Sequence, residues 1–179
     1  LTLGYAYKFD RTDFLGGFSA GLGLKYIQSH VVSNASTEAL DFGLLSPKYL
    51  GEKLRLAFTL TNLGGTMRFD AANESLPMTC KLGSAYKMTD RWSVSADLGF
   101  PRSNEPYGAF GAEYRFPLKY DASLAGRLGY NTRTADDISG FTGFALGLGF
   151  GFRQFDMDYG FLPFGYLGLT HRVSLTARF

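Results

Sequence analysis

Eleven segments of the chain alternate between apolar and polar residues with a period of two, the pattern of strands whose two faces meet different surroundings. They lie at about 1–9, 17–27, 39–45, 53–63, 78–88, 91–100, 107–116, 122–130, 142–152, 155–161 and 169–179. No segment carries the 3.6-residue period of a helix. Several run to about ten residues, which at ~3.3 Å per residue and the usual tilt is the height needed to cross an outer membrane.

The charges sort by register. One register holds Leu1, Leu3, Tyr5, Tyr7 and Phe9; Phe18, Leu22, Leu24 and Tyr26; Leu54, Leu56, Phe58 and Leu60; Trp92, Val94, Leu98 and Phe100; and Phe144, Leu146, Leu148, Phe150 and Phe152. The other holds Lys8, Lys25, Asp41, Arg55, Lys81, Lys87, Asp97, Glu113, Arg115, Arg127, Asp156, Asp158, Arg172 and Arg178, so every strand charge is expected on one face. Glycines such as Gly21, Gly43, Gly111, Gly129, Gly147, Gly149 and Gly151 share that face and leave room beside it. A soluble barrel or sandwich shows the same alternation with its apolar side inward. The volume of aromatic side chain is too great for a small barrel interior, whereas lipid accepts any amount. Tyr7, Tyr26, Tyr86, Phe100, Tyr114, Phe116 and Tyr130 also fall near strand ends, as in interfacial girdles.

Composition narrows this further. With 17 Phe, 11 Tyr and 23 Gly but 6 Pro, the chain suits strands and disfavours both helix and disorder. It has no run of 18 apolar residues that would span a membrane as a helix. The net charge of +2 includes no basic run, so neither a nucleic-acid partner nor a polybasic anchor is indicated. The one cysteine, Cys80, allows no internal disulfide and has no metal-site spacing around it.

The fold expected is therefore all-β: a transmembrane antiparallel up-and-down β-barrel, one domain over 1–179, in contact with outer-membrane lipid. Connection lengths supply its orientation, because such barrels have long extracellular loops and short periplasmic turns. The connections 28–38, 64–77, 101–106, 131–141 and 162–168 are the longer ones, while 89–90 and 153–154 are minimal. That places the C-terminus in the periplasm and the first strand descending. A bacterial single-chain barrel has an even strand number and begins with an ascending strand, so an odd number of strands is expected before Leu1.

The segment FDMDYGFLPF at 155–164 and the closing GYLGLTHRVSLTARF at 165–179 carry a family resemblance. Earlier pieces agree in order: ALDFGLL at 39–45, TNLGG at 61–65, LPMTCKLGSAY at 76–86, EPYGAFGAEY at 105–114 and GRLGYNT at 126–132. Together these resemble the PorV/PorQ group of FadL-like outer-membrane barrels. The resemblance implies fourteen strands, which makes three the odd number expected upstream. It implies either a role in protein secretion, with a type IX-like translocon and its secreted cargo as partners at the extracellular loops, or transport of hydrophobic compounds. A purely structural or partner-binding subunit of an envelope complex is the third alternative. Val173, Leu175, Ala177 and Phe179 in the last strand look like the terminal signal read by the barrel assembly machinery.

Catalytic chemistry finds little support. A hydrolase would need a nucleophile beside His30 or His171, and two residues beyond His171 stands Val173. GLGFGF at 147–152 has a period of two and no following helix, so it is not a nucleotide loop. No cofactor or metal motif is present, and a non-enzymatic protein is expected. Arg127, Arg153, Asp156, Asp158, Arg172 and Arg178 are expected to form a charge network on the polar face, since charges inside a barrel must be paired or hydrated. The alternative use of Arg127 or Arg172 is to hold an anionic head group.

Overall fold

The structure, a computed structural model, describes residues 1–10, 17–30, 34–68, 73–136, 142–165 and 168–178. Its strands are β1 (Thr2–Lys8), β2 (Ser19–His30), β3 (Asn34–Leu45), β4 (Leu54–Leu63), β5 (Thr66–Arg68), β6 (Asn73–Ser75), β7 (Thr79–Lys87), β8 (Trp92–Pro101), β9 (Tyr107–Pro117), β10 (Ala122–Asn131), β11 (Phe144–Phe152), β12 (Phe155–Pro163) and β13 (Leu169–Ala177), with one helix, α1 (Thr132–Asp136). Eleven of these strands form one antiparallel sheet in chain order, β1-β2-β3-β4-β7-β8-β9-β10-β11-β12-β13, and β5 and β6 pair separately. The chain divides into two compact units, Leu1–Ser84 with Leu98–Pro106, and Ala85–Asp97 with Tyr107–Phe179.

Each unit keeps the two faces apart. In the first, Tyr5 stands opposite Leu22 and Leu22 opposite Phe42, while Gly23 stands opposite Asp41. In the second, Phe110 meets Tyr130 and Tyr130 meets Phe144, while Arg127 lies between Glu113 and Gly147. Aromatic rings of the second unit cluster near both strand ends, with Tyr114 4.8 Å from Trp92 and 4.3 Å from Phe116, and Tyr130 5.0 Å from Phe144.

A soluble sheet packs its apolar face inward, and here the exposure runs the other way. Along β11 each apolar residue, Phe144, Leu146, Leu148, Phe150 and Phe152, is exposed, and each small residue between them is half-buried or buried. Leu148 is 65% exposed, Val173 68% and Leu175 74%. Among the described residues the buried hydrophobic side chains are Ala39 and Ala125, and both stand in the polar register, opposite Lys25 and Arg115. No large hydrophobic core exists among these residues, so the hydrophobic stabilisation expected of a water-soluble sheet of this size is missing.

Three features differ from the sequence expectation. The connection expected over 28–38 is mostly strand, because β2 and β3 keep pairing through Ile27–Thr37 and Gln28–Ser36. A ladder needs only backbone groups, so it continues where apolar alternation has stopped. As a result Glu38, opposite Tyr26, stands in the register of Leu40 and Phe42, and the strand charges are not all on one face. The connection expected over 64–77 contains the β5–β6 hairpin, closed by Leu76 N–H donating to Gly65 O at 2.8 Å and tied to β3 by Thr66 N–H donating to Thr37 Oγ1 at 3.0 Å. A helix appears where none was expected. The Asn131 side chain accepts from Arg133 N–H at 3.0 Å, an N-cap that starts α1 after only one turn's worth of sequence signal.

The segment TNLGG has its own device. Leu40 pairs with Leu63 but Phe42 with Leu60, so two residues of β4 oppose Asp41 in a bulge. Asn62 takes a left-handed φ of 60° there, which asparagine tolerates better than most residues. The extra residue reverses parity and keeps Leu63 on the same face as Leu60.

Candidate functional site

The bulge collects polar atoms on the polar face of the first unit. Lys25 Nζ lies 2.7 Å from Asp41 Oδ2 and donates to Asn62 Oδ1 at 3.0 Å. Asn62 N–H donates to Asp41 Oδ1 at 2.9 Å, and its side-chain amide donates to Pro77 O at 3.0 Å. One asparagine thus ties three segments together. Neither Lys25 nor Asp41 was expected in the charge network, although their shared register was the available signal.

The larger cluster lies on the polar face of the second unit. Its rows across the sheet read Glu113, Arg127, Gly147, Gly160, Arg172; then Arg115, Ala125, Gly149, Asp158, Ser174; then Pro117, Ser123, Gly151, Asp156, Thr176. Arg127 Nε donates to Glu113 Oε2 at 2.7 Å on the neighbouring strand. Its Nη1 pairs with Asp158 Oδ1, two strands away in the other direction. Arg115 Nη2 reaches the second oxygen of Glu113 at 3.1 Å, and Arg178 pairs with Asp156. Three cations thereby face three anions, and the cluster is formally neutral.

Glycine is what lets Arg127 cross β11. Strands two apart are separated by ~9.6 Å, so the guanidinium must pass directly over the strand between. A Cβ at Gly147 would lie 3.1 Å from Arg127 Cβ, and one at Gly149 would lie 2.8 Å from Asp158 Oδ1 and 3.1 Å from Arg127 Nη1. The room left by these glycines is filled by the ion pair. Farther along the same face a basin of about 450 Å³ has Gly111, Gly129, Ala145 and Gly160 among its lining, with Leu162 and the Glu113–Arg127 pair also bordering it.

Of the residues expected to form the network, Arg127 and Asp158 come together directly, as do Asp156 and Arg178. Arg153 does not join them. It lies in the two-residue turn after β11, at a φ of 51°, with its guanidinium 5.3 Å from the Phe152 ring. Arg172 faces the polar side opposite Gly160 but makes no ion pair among the described residues, since the nearest row's Asp158 is already taken by Arg127. Glu113 and Arg115, which complete the cluster, were legible as polar-register charges, but their partners were not. Val173, Leu175 and Ala177 lie on the apolar face of β13 opposite Tyr159, Met157 and Phe155, and Phe179 is outside the described residues. His30 ends β2 instead of lying in a loop, and His171 stands on the apolar face opposite Phe161.

Fold and site together define an up-and-down antiparallel sheet with an exposed apolar face and an ion-paired, glycine-tracked polar face. No protein-family model matches the chain, and no curated protein or solved structure matches it either.

Proposed function

We propose that this chain forms an integral β-barrel of the bacterial outer membrane, similar to PorV, which receives secreted cargo on its extracellular loops for a type IX-like translocon. The observation that carries the membrane reading is the inverted exposure, with leucines and aromatics outward and glycine and alanine sheltered. Soluble monomers rarely expose a large contiguous row of leucines and aromatics to water. In lipid it costs nothing. On this reading the ion-paired face borders the lumen, the short turns at 88–91, 118–121 and 153–154 are periplasmic with the C-terminus, and the β2–β3 extension and β5–β6 hairpin belong to the outer surface. The edges of β1 and β13 are paired in such a barrel, since an open ladder in hydrocarbon leaves backbone groups unsatisfied at several kcal/mol each.

The secretion role is supported by the ordered resemblance to the PorV/PorQ group. A second reading, a FadL-like transporter of hydrophobic compounds, is favoured by the basin lined with small residues and Leu162 beside the charge cluster. Purification from outer membranes in mild detergent separates the two. Copurification of a large translocon with secreted cargo supports the first, and a bound hydrophobic compound without translocon supports the second. Recovery in the soluble fraction refutes both.

A further inference from the structure

The short-turn end of the second unit carries charge that its described residues do not balance. The turn at 88–91 holds Arg91, that at 118–121 holds Lys119 and that at 153–154 holds Arg153, and all three side chains are exposed. Asp90 is paired with Lys87 at 3.1 Å, so these cations are set against one remaining carboxylate, Asp121, and none of them makes an ion pair among the described residues. At the opposite end, the described connections after β10 and β12 hold one cation and one anion, Arg133 and Asp136. The short turns lie side by side. Arg115 N–H donates to Arg91 O at 2.8 Å, and Arg153 N–H donates to Asp121 O at 3.1 Å.

Two of the three cations stand at the rim of the apolar face. The outermost apolar row reads Leu118, Ala122, Phe152, Phe155 and Ala177, with Lys119 next to Leu118 in the chain and Arg153 next to Phe152. The Arg153 guanidinium lies 5.3 Å from the Phe152 ring, which keeps its charge beside an apolar-face side chain. Lys119 is flanked by Leu118 and Tyr120, both exposed, the tyrosine to 85%. Water alone gives no reason for a leucine and a tyrosine on either side of a turn lysine. Aromatics beneath a fringe of cations suit a surface that is apolar within and anionic at its skin.

We propose that the turns at 118–121 and 153–154 bind the phosphate of an anionic glycerophospholipid of the periplasmic leaflet. Lys119 and Arg153 are the contacting cations, Arg91 adds to the local positive potential, and Tyr120 and Phe152 lie against the glycerol and upper acyl region. This rests on the reading of the apolar face as lipid-facing and of the short turns as periplasmic. The periplasmic leaflet of an outer membrane is the one built of glycerophospholipids, so the occupant fits the end of the sheet on which the cations stand. A zwitterionic phospholipid offers the same phosphate together with its own cation, so the unbalanced turns select a headgroup with net negative charge.

The test folds the full-length protein into vesicles of equal parts phosphatidylglycerol and phosphatidylcholine with matched acyl chains. The protein is then extracted in mild nonionic detergent, and the lipid it retains is measured by mass spectrometry. Phosphatidylglycerol should be retained in preference. Each cation near an anionic lipid surface is worth about fivefold, so Lys119→Gln combined with Arg153→Gln should lower the phosphatidylglycerol-to-phosphatidylcholine ratio by about twentyfold at low salt. High salt should lower the wild-type ratio as well. Arg172→Gln, on the polar face, should leave it unchanged. Equal retention of the two lipids by the wild-type protein, or an unchanged ratio in the double variant, overturns the proposal. So does loss of the preference in Arg172→Gln, which would move the headgroup to the polar face. Insertion is read separately from a heat-dependent gel shift: a protein that shows none has not entered the vesicles, and the membrane reading then falls together with the proposal.

Discussion

Leu148 is the central residue of the nine in β11 and points to the exposed apolar side, so it lies ~13 Å along the strand from either end. Replacing it with arginine asks what surrounds that face. Because the side chain is already 65% exposed, Leu148→Arg removes little protein packing, and in water a substitution at such a site changes stability by no more than ~0.5 kcal/mol. At the midplane of a bilayer the same charge costs ~2–4 kcal/mol, about thirtyfold to nearly a thousandfold in the folding equilibrium. Ser174→Arg is the matched control. It sits next to Val173, which shares a row with Leu148 through Tyr159, but it faces the polar side opposite Asp158, where an added cation should cost under ~1 kcal/mol. The assay is reversible guanidinium unfolding in lipid vesicles, followed by the fluorescence of Trp92, the single tryptophan. If Leu148→Arg and Ser174→Arg shift the equilibrium equally, or neither shifts it, the lipid-facing assignment is wrong.

Three further outcomes test the polar face. Gly149→Leu should displace Arg127 from Asp158 and destabilise the protein by ~1–3 kcal/mol in the same unfolding assay, whereas Gly126→Leu on the open apolar side should be close to neutral. A double-mutant cycle with Arg127→Met and Asp158→Ala should give a coupling energy of ~0.5–1.5 kcal/mol, and a value near zero would show that the pair is solvated and idle. At the bulge, Asn62→Gly loses the contacts to Lys25 and Pro77 but keeps the left-handed backbone, while Asn62→Ala loses both. Alanine should therefore be ~1 kcal/mol worse than glycine by chemical denaturation, and equal losses would mean that backbone strain plays no part.

Strands and faces were legible in the sequence because each depends on local alternation. Leu146, Leu148 and Phe150 must share one side of an extended chain whatever else the chain does, and Gly147 and Gly149 must share the other. All eleven long strands follow from that rule, and their antiparallel neighbours follow from connections too short for a crossover. What alternation does not encode is register, the alignment of one strand against the next. Register alone decides that Arg127 meets Glu113 on one side and Asp158 two strands away on the other, and that Arg172, which shares the row of Arg127, finds the neighbouring row's Asp158 already paired. It likewise decided that polar residues at 28–38 extend a ladder, since backbone pairing leaves no mark in side-chain hydropathy. Whether a glycine is crossed by an ion pair, as at Gly149, or opens an apolar groove, as at Gly126, depends on side chains that reach it from other strands, and only the tertiary structure brings those together.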